Sequence, residues 1–180
     1  HRVDRRQRQM CIRDRHGTEI FAAAQARGVM VAFEAAVAGG IPIIKSLREG
    51  LTANRIQWLA GIINGTTNFI LSEMRDKGLD FDTVLKQAQA LGYAEADPTF
   101  DIEGIDAAHK ATLMSAMAFG VPVQFDRAYV EGITQLAAQD IRYAEMLGYR
   151  IKLLGISKRT PEGICLLYTS DAADDLLCVD

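Results

Sequence analysis

The sequence predicts an α+β protein, and three observations support this fold class. The chain has 180 residues, of which 49% are hydrophobic and 24% charged, enough apolar material for the core of about one domain. Segments with apolar residues at helical spacing recur between residues 16 and 147. Short strand-like segments lie between and after them, at residues 29–33, 55–63 and 150–157. Together they predict helices packed on a sheet.

Charge and hydropathy exclude several classes of function. The formal net charge is −3 and the isoelectric point is about 5.6, so no general affinity for nucleic acid phosphates or an anionic membrane is expected. No apolar run approaches the roughly 20 residues that a membrane span needs, and the polar, Arg-rich start is unlike a secretory signal. We therefore expect a cytoplasmic protein with neither a nucleic acid nor a membrane partner.

The two ends of the chain differ from its middle. Residues 1–15 contain six Arg and two Asp, whereas residues 165–180 contain four Asp and no Lys or Arg. One DNA element, read in opposite orientations, can encode residues 10–14 and 165–170, and it resembles a sequencing adapter translated in error. We therefore predict that residues 1–15 and 165–180 are non-native flanks. The cysteines lie in these flanks and are expected to have no functional role: Cys11, Cys165 and Cys178.

The segments after the first flank are predicted to be a helix and then a strand. Residues 16–26 place apolar side chains on one helical face, and Gly28 ends the helix. The apolar run 29–33 is typical of a strand, so this part predicts the tail of an α/β unit. A helix from Pro42 to about Glu49 follows, and then strand 55–63. Both faces of that strand are mostly apolar, which predicts that it is covered on both sides.

The remaining middle region is predicted to be mostly helical. A turn over residues 64–68 leads into a helix that ends near Lys77, with Thr66 or Thr67 as its N-cap. A polar, acidic loop over residues 93–104 precedes an Ala- and Met-rich helix that is apolar around most of its circumference and is therefore expected to be buried. The other predicted elements, in order, are helix 81–91, that buried helix 106–119, helix 140–147 and strand 150–157.

The acidic loop and the buried helix contain the densest group of polar side chains. Asp106 and Lys110 are four residues apart and share a helix face, and Asp106 lies in the first turn, where the helix dipole favours negative charge. A buried carboxylate and ammonium suit proton transfer, and surplus carboxylates suit a cationic ligand such as a substrate ammonium group. The alternative is a solvated surface ion pair worth about 0.3–0.5 kcal/mol. The five carboxylates of the group are Glu95, Asp97, Asp101, Glu103 and Asp106.

A second candidate site is the glycine-containing turn over residues 34–42. Its two adjacent glycines let a ligand approach the backbone, and Glu34 at the end of a strand could bind a cation together with backbone carbonyls. The alternative is an ordinary strand-to-helix turn. The sequence has no GxGxxG loop, no P-loop, no His/Cys metal spacing and no serine-nucleophile elbow. His109, next to Lys110, is expected to be structural.

Three segments resemble the homoserine dehydrogenase family, over residues 16–164. The strongest similarity is the pattern from Ala88 to Lys110, with Gly-Tyr-Ala-Glu-Ala-Asp-Pro at residues 92–98 and Asp-Ile-x-Gly-x-Asp at residues 101–106. Residues 33–44 and residues 61–68 are similar to two other hallmark segments of the family. The resemblance implies NAD(P)-dependent interconversion of L-homoserine and L-aspartate 4-semialdehyde, a step toward threonine and methionine.

The resemblance also implies a role for individual residues. Lys110 is expected to be the general acid/base at the substrate oxygen, assisted by Asp106. Glu95 and Asp101 are expected to hold the substrate, with Glu95 near its ammonium group. Gly65 and Thr66 would approach the substrate and the nicotinamide from the turn. A monovalent cation, Na+ in the family, is expected to be bound by four residues: the Glu34 side chain and the main-chain oxygens of Val37, Gly39 and Ile41.

The resemblance further implies a domain organisation. Residues 16–34 would be the tail of a Rossmann-type nucleotide-binding domain, and residues 35–164 the substrate-binding, catalytic and dimerisation domain. That second domain is expected to be a mixed β-sheet with helices on one face, and its open face to be covered by the partner of a homodimer. The family's glycine-rich nucleotide loop has no counterpart in the chain. We therefore expect that this polypeptide alone neither binds NAD(P) tightly nor turns over.

Two other functions remain open at this point. One is a non-catalytic dimerisation or ligand-binding module in which the acidic loop is merely solvated. The other is a dehydrogenase of similar architecture that acts on a different amino-acid semialdehyde.

Overall fold

Four strands form one mixed sheet in a computed structural model that describes residues 5–173. In chain order they are β1 (Trp58–Gly61), β2 (Tyr129–Val130), β3 (Arg150–Thr160) and β4 (Gly163–Ala173), and their spatial order is β1-β3-β4-β2. β3 pairs antiparallel with both β1 and β4, whereas β2 pairs parallel with β4. The mixed sheet is therefore confirmed.

Eight α-helices accompany the sheet within the described residues. They are α1 (Arg5–Ala26), α2 (Ala35–Ala38), α3 (Ile43–Lys45), α4 (Gly65–Lys77), α5 (Phe81–Ala90), α6 (Thr99–Ile102), α7 (Ile105–Phe119) and α8 (Ala138–Met146). A π-helical turn over Ser46–Gly50 extends α3, and a 3-10 turn over Phe125–Arg127 precedes β2. None of the helices in the part of the chain that is described has the length and apolar character to cross a membrane.

The long helix α7 lies on one face of the sheet and organises the core. The hydroxyl oxygens of Ser115 on α7 and Ser157 on β3 are 2.8 Å apart, and both side chains are buried. Gly155 lets the helix come close, because a Cβ built there would lie 3.2 Å from the Cβ of Ala111. Since strand side chains alternate between faces, Ile156 lies on the opposite, helix-free face. The α+β architecture with helices on one face is thus confirmed.

Apolar side chains pack against α7 in two clusters. The larger one combines α4, α5, α8 and the sheet, with Ile70, Val84 and Leu153 almost completely buried. The second one combines the segment around α2 and α3 with the far end of α7, through Ile44, Leu113 and other side chains. Because both clusters involve α7, the helix that contains Asp106 and Lys110 is held from two sides. The predicted burial of this helix is confirmed.

Several predicted elements differ in the structure. Residues 29–33 form no strand, and they belong to none of the four strands of the described sheet. Strand 55–63 shortens to β1, and it is not covered on both sides, because Trp58 is 53% exposed on the helix-free face. The acidic loop contains the short helix α6, and β2 was not predicted.

The two predicted flanks are partly described. Residues 5–15 extend the predicted helix 16–26 backwards into α1, and residues 165–173 form most of β4. Their helical or strand backbone does not bear on their origin, so the non-native flanks stay a prediction. Residues 1–4 and 174–180, with Cys178, lie outside the described residues. Cys165 is exposed and forms no disulfide within the described residues.

Candidate active site

The first turns of α7 bring Asp106 and Lys110 together. Lys110 Nζ lies 2.6 Å from Asp106 Oδ2, and their side chains are only 18% and 7% exposed. Lys110 Nζ also donates a hydrogen bond of 3.3 Å to the main-chain oxygen of Ile63. This is a largely desolvated ion pair, so the alternative of a solvated surface pair does not describe it.

A tight turn at Gly104 starts α7 at this point. Gly104 has φ 79°, and a Cβ built on it would lie 2.6 Å from the ring of Tyr168 on β4. Both the left-handed conformation and the close ring therefore require glycine here. Burial raises the pKa of Tyr168 far above its ordinary range, so its phenol stays neutral beneath the site.

Asn64 connects this pair with the acidic loop. Its Nδ2 donates to Asp101 Oδ1 at 2.7 Å and to Asp106 Oδ2 at 3.0 Å. Its Oδ1 accepts from the amide of Thr67 at 2.9 Å, which makes Asn64 the N-cap of α4. The prediction that Thr66 or Thr67 caps this helix is therefore wrong.

Asp101 is a carboxylate in a partly dry environment. It lies on the single turn of α6, which begins after Pro98 and leads directly into Gly104 and α7. Burial raises the pKa of Asp101 above its ordinary value; the hydrogen bond from Asn64 opposes this shift, and the negative charge of Asp106 adds to it. The site therefore holds two acidic side chains against one lysine.

A cavity of about 690 Å³ opens in front of these groups and gathers most of the predicted site residues. Thr66 Oγ1 donates to the main-chain oxygen of Tyr93 at 2.8 Å, and the ring of Tyr93 packs on that of Phe69, with centroids 4.9 Å apart. These contacts join the turn before α4 to the acidic loop and form one wall. The predicted residues that line the cavity are Val37, Gly39, Gly65, Thr66, Glu95, Asp101, Asp106 and Lys110.

The predicted cation site is only partly assembled. Val37 and Gly39 line the cavity, whereas both carboxylate oxygens of Glu34 accept main-chain amides, from Ile44 at 2.8 Å and Lys45 at 2.9 Å. Ile41 is 66% exposed, and its main-chain oxygen accepts from the amide of Ile43 at 2.8 Å. The oxygens of Glu34 and Ile41 thus accept hydrogen bonds within the local turn. No catalytic step is assigned to a cation, and the cation site stays a prediction.

Sequence reasoning missed Asn64 as a site residue. The signal was available, because an Asn three residues before a Thr at the start of a helix is a typical N-cap pattern. Its bonds to Asp101 and Asp106 span 37 and 42 residues, a pairing that no local pattern predicts. His109 is buried and stacked between Phe100 and Phe125, with centroids 5.6 and 3.8 Å away, as expected of a structural residue.

The chemistry available here is proton transfer beside a cation-binding cavity. A lysine with one ionised partner can accept or donate a proton at a ligand oxygen, and Glu95 and Asp101 present negative charge to the same space. A paired lysine and carboxylate at a cavity wall are typical of enzymes that move a proton at a carbonyl or hydroxyl oxygen.

Comparisons with known proteins specify the class further. A family model described as homoserine dehydrogenase matches residues 42–173. The homoserine dehydrogenase of Pseudomonas aeruginosa is 70% identical over 148 residues, which are 82% of this chain and 34% of that protein. The homoserine dehydrogenase of Neisseria gonorrhoeae is 68% identical over 149 residues, 83% of this chain and 34% of that protein.

Solved structures agree with these sequences. The crystal structure of a homoserine dehydrogenase from Thiobacillus denitrificans has a TM-score of 0.91 and 72% identity, over 92% of this chain and 38% of that one. A hyperthermophilic archaeal homoserine dehydrogenase in complex with NADPH has a TM-score of 0.74 and 26% identity, over 90% of this chain and 46% of that one. The fold corresponds to a part of these homoserine dehydrogenase structures. The chain belongs to the homoserine dehydrogenase family, and it spans about a third of the length of the curated relatives it matches.

Proposed function

We propose that this chain is the substrate-binding and catalytic part of an enzyme that interconverts L-homoserine and L-aspartate 4-semialdehyde with NAD(P). The observation that supports this most directly is the desolvated pair of Lys110 and Asp106 at the wall of a cavity lined with further carboxylates. Family membership supplies the substrate, since the site's geometry by itself specifies only a small cationic ligand with a reactive oxygen.

Lys110 is the general acid/base in this proposal. In the oxidation direction its neutral Nζ takes the proton from the substrate hydroxyl, and in the reduction direction the ammonium returns a proton to the carbonyl oxygen. Asp106 lies 2.6 Å from Nζ and orients it, and the main-chain oxygen of Ile63 provides a second acceptor at 3.3 Å. Both contacts fix Nζ from the protein side, so the remaining proton points into the cavity.

Glu95 and Asp101 bind the substrate ammonium group. Both line the cavity, Glu95 from the exposed loop and Asp101 from the half-buried α6. A carboxylate whose pKa is raised by burial gains from a cationic ligand, because the ligand replaces the lost hydration. Gly65 and Thr66 also line the cavity and let the substrate come close to the main chain at the start of α4.

The described residues fit only the reacting end of NAD(P). A Cβ built on Gly39, Gly65 or Gly92, all of which line the cavity, would meet nothing within 4 Å, so the walls leave room for a planar ring. The chain has no glycine-rich loop for the phosphates, whose binding we therefore assign to another part of the complete enzyme. When NAD(P) is bound to the complete enzyme, it would supply the hydride in the reduction direction and accept it in the oxidation direction.

The test of the catalytic role is Lys110→Ala in the complete enzyme that contains this chain. We expect a loss of turnover of about 100-fold or more, with the fold and NAD(P) binding retained. Lys77→Ala is the matched control, because Lys77 is also the second member of an i,i+4 pair but is 55% exposed on α4. A near-wild-type rate for Lys110→Ala would favour the non-catalytic ligand-binding module.

The substrate class has its own test. Glu95→Gln removes a negative charge from the cavity wall, so it should raise the KM of an ammonium-bearing substrate more than that of an analogue lacking the amino group. Equal effects on both would mean that Glu95 does not contact the ammonium group. A complete enzyme that prefers another amino-acid semialdehyde would support the related dehydrogenase instead.

We also propose that the helix-free face of the sheet is covered by a second copy of the chain. An apolar row crosses this face outside the predicted flanks, because Ala60 on β1 pairs with Ile156 on β3 and Tyr129 on β2 lies at the far end of the sheet. Tyr129 is 56% exposed, and the neighbouring Trp58 is 53% exposed. An apolar sheet face of this kind is typical of an interface, and the two-fold pairing of identical faces is the commonest way to cover one.

Sedimentation at micromolar concentration tests the homodimer. Ile156→Asp places a charge in the middle of the apolar row and should convert a dimer into a monomer. Glu145→Ala on the exposed side of α8 is a control that should leave the dimer intact. A wild-type monomer at these concentrations would contradict this proposal and leave the catalytic one unaffected.

A further inference from the structure

The side chain of Asn64 links elements that are far apart in the sequence. Asn64 is 5% exposed and makes close contacts with three elements: the backbone of α4, Asp101 on α6 and Asp106 on α7. Its two amide hydrogens go to two different carboxylates. No other uncharged side chain described at the cavity donates to both acids.

The orientation of the Asn64 amide is determined by the helix cap. The main-chain N–H of Thr67 can only donate, so the atom it meets must be the Asn64 oxygen. The hydroxyl of Thr67, itself completely buried, lies 3.1 Å from the same oxygen. The NH₂ group is therefore directed at the carboxylates, and a flip of the amide would place it against the Thr67 N–H.

This fixed donor acts on the acid/base pair through Asp106. Asp106 Oδ2 accepts both from Lys110 Nζ at 2.6 Å and from Asn64 Nδ2 at 3.0 Å, so two donors hold one oxygen. The second hydrogen of Asn64 holds Asp101 on the other side, which places two like charges next to each other. Hydrogen bonds to both carboxylates offset their repulsion, since each bond favours the ionised form.

We propose that Asn64 is a positioning residue that holds the carboxylates of Asp101 and Asp106 next to each other, so that Lys110 stays oriented and the substrate ammonium meets a preformed acidic site. This rests on the proposed function. The charged and titratable groups around Asn64 are Asp101 on α6, Asp106 and Lys110 on α7, Glu95 in the exposed loop and Tyr168 on β4. Asn64 itself carries no charge, and its amide donates to both carboxylates.

Two substitutions separate donation from helix capping. Asn64→Asp retains an oxygen for the Thr67 N–H and so keeps α4 capped, but its ionised form has no hydrogen to give. Asn64→Ala removes both the cap and the donor. Asn54→Asp adds the same charge at an exposed position outside the cavity and is the matched control.

The readout is the carboxyl titration of Asp101, followed by NMR in the 180-residue chain, with kinetics in the complete enzyme alongside. We expect the carboxyl midpoint of Asp101 to rise in Asn64→Ala and Asn64→Asp but not in Asn54→Asp, because the hydrogen bond from Asn64 favours its ionised form. In the complete enzyme kcat/KM should fall about tenfold or more in both Asn64 variants, with the acidic limb of its pH profile moved upward.

The titration decides the inference even where the enzymatic proposal fails. An Asp101 midpoint unchanged in Asn64→Asp would overturn the role of Asn64 whatever the kinetics show. A loss of activity in Asn64→Ala alone, with Asn64→Asp like wild type, would show that only the cap matters and would also overturn it. If the wild-type complete enzyme does not oxidise homoserine, the proposed function fails while the titration still measures the effect of Asn64 on Asp101.

Discussion

Replacing Asp106 with Asn is the sharpest test of whether the Asp106–Lys110 pair belongs to a buried site. The substitution keeps the size of the side chain and an oxygen that can accept from Lys110, but it removes the negative charge. Lys110, 18% exposed, would then have a neutral partner at a largely buried position, although the charge of Asp101 still acts on it. The loss of folding stability should therefore exceed the loss caused by breaking an ordinary ion pair on a helix surface.

The magnitude follows from burial. Breaking a fully buried ion pair costs about 3–5 kcal/mol, and breaking an exposed i,i+4 pair about 0.3–0.5 kcal/mol. The 18% and 7% exposures lie near the buried limit, while relief of the repulsion between Asp106 and Asp101 offsets part of the cost. We expect Asp106→Asn to lower the free energy of unfolding by about 2 kcal/mol.

Urea unfolding of the 180-residue chain at neutral pH measures this value against an internal standard. Glu73→Gln breaks the i,i+4 pair of Glu73 with Lys77, whose lysine is 55% exposed, and should cost about 0.3–0.5 kcal/mol. Both variants change one carboxylate to an amide in a helix. Equal losses below about 0.5 kcal/mol would refute the assignment of a desolvated pair and restore the surface-pair interpretation.

Three further outcomes are expected from unfolding measurements. Because burial raises the pKa of Asp101, ionisation of this carboxyl disfavours the folded state. The free energy of unfolding should therefore fall as the pH rises from about 4 toward that raised pKa. Asp101→Asn should flatten this pH dependence, and an unchanged slope would contradict the prediction. A Cβ on Gly132 would lie 2.3 Å from the main-chain oxygen of Ile102, so Gly132→Ala should lower the free energy of unfolding by about 1–3 kcal/mol or more. Gly50→Ala is the control, because a Cβ there would meet nothing within 4 Å. Leu113→Ala, at a side chain only 1% exposed, should cost about 2–5 kcal/mol, and a loss below 1 kcal/mol would mean that the cluster around α3 packs loosely.

The helices could be predicted because their information is local. The patterns for α4, α5, α7 and α8 locate each helix to within two or three residues, since apolar spacing and terminal glycines lie inside the segment itself. Strands depend on partners elsewhere. The apolar run 29–33 is not part of the described sheet, and two-residue β2 exists only because β4 lies beside it.

The sequence predicted that several polar side chains lie close together, but it did not predict the hydrogen bonds between them. The dense polar group of the sequence includes Glu95, Asp101, Asp106 and Lys110, and these four line one cavity; the family resemblance gave them their expected roles. The bridging role of Asn64 was not predictable, because it depends on how the turn before α4 meets α6 and α7 in space. The spacing of Asp106 and Lys110 also could not show whether their ion pair is solvated or buried, because burial depends on the surrounding fold.

The two walls of the cavity differ in how deeply their residues are buried. On the wall formed by α7, residues 111–115 are all buried and their amides lie inside the helix, so these amides should exchange with solvent only when the whole domain unfolds. The opposite wall consists of exposed loop residues, Gly92, Tyr93 and Glu95, whose amides should exchange through small local openings. The Asp106–Lys110 pair thus lies on the wall that opens least, while the loop that we propose to meet the substrate ammonium group can adjust to a ligand by small local movements.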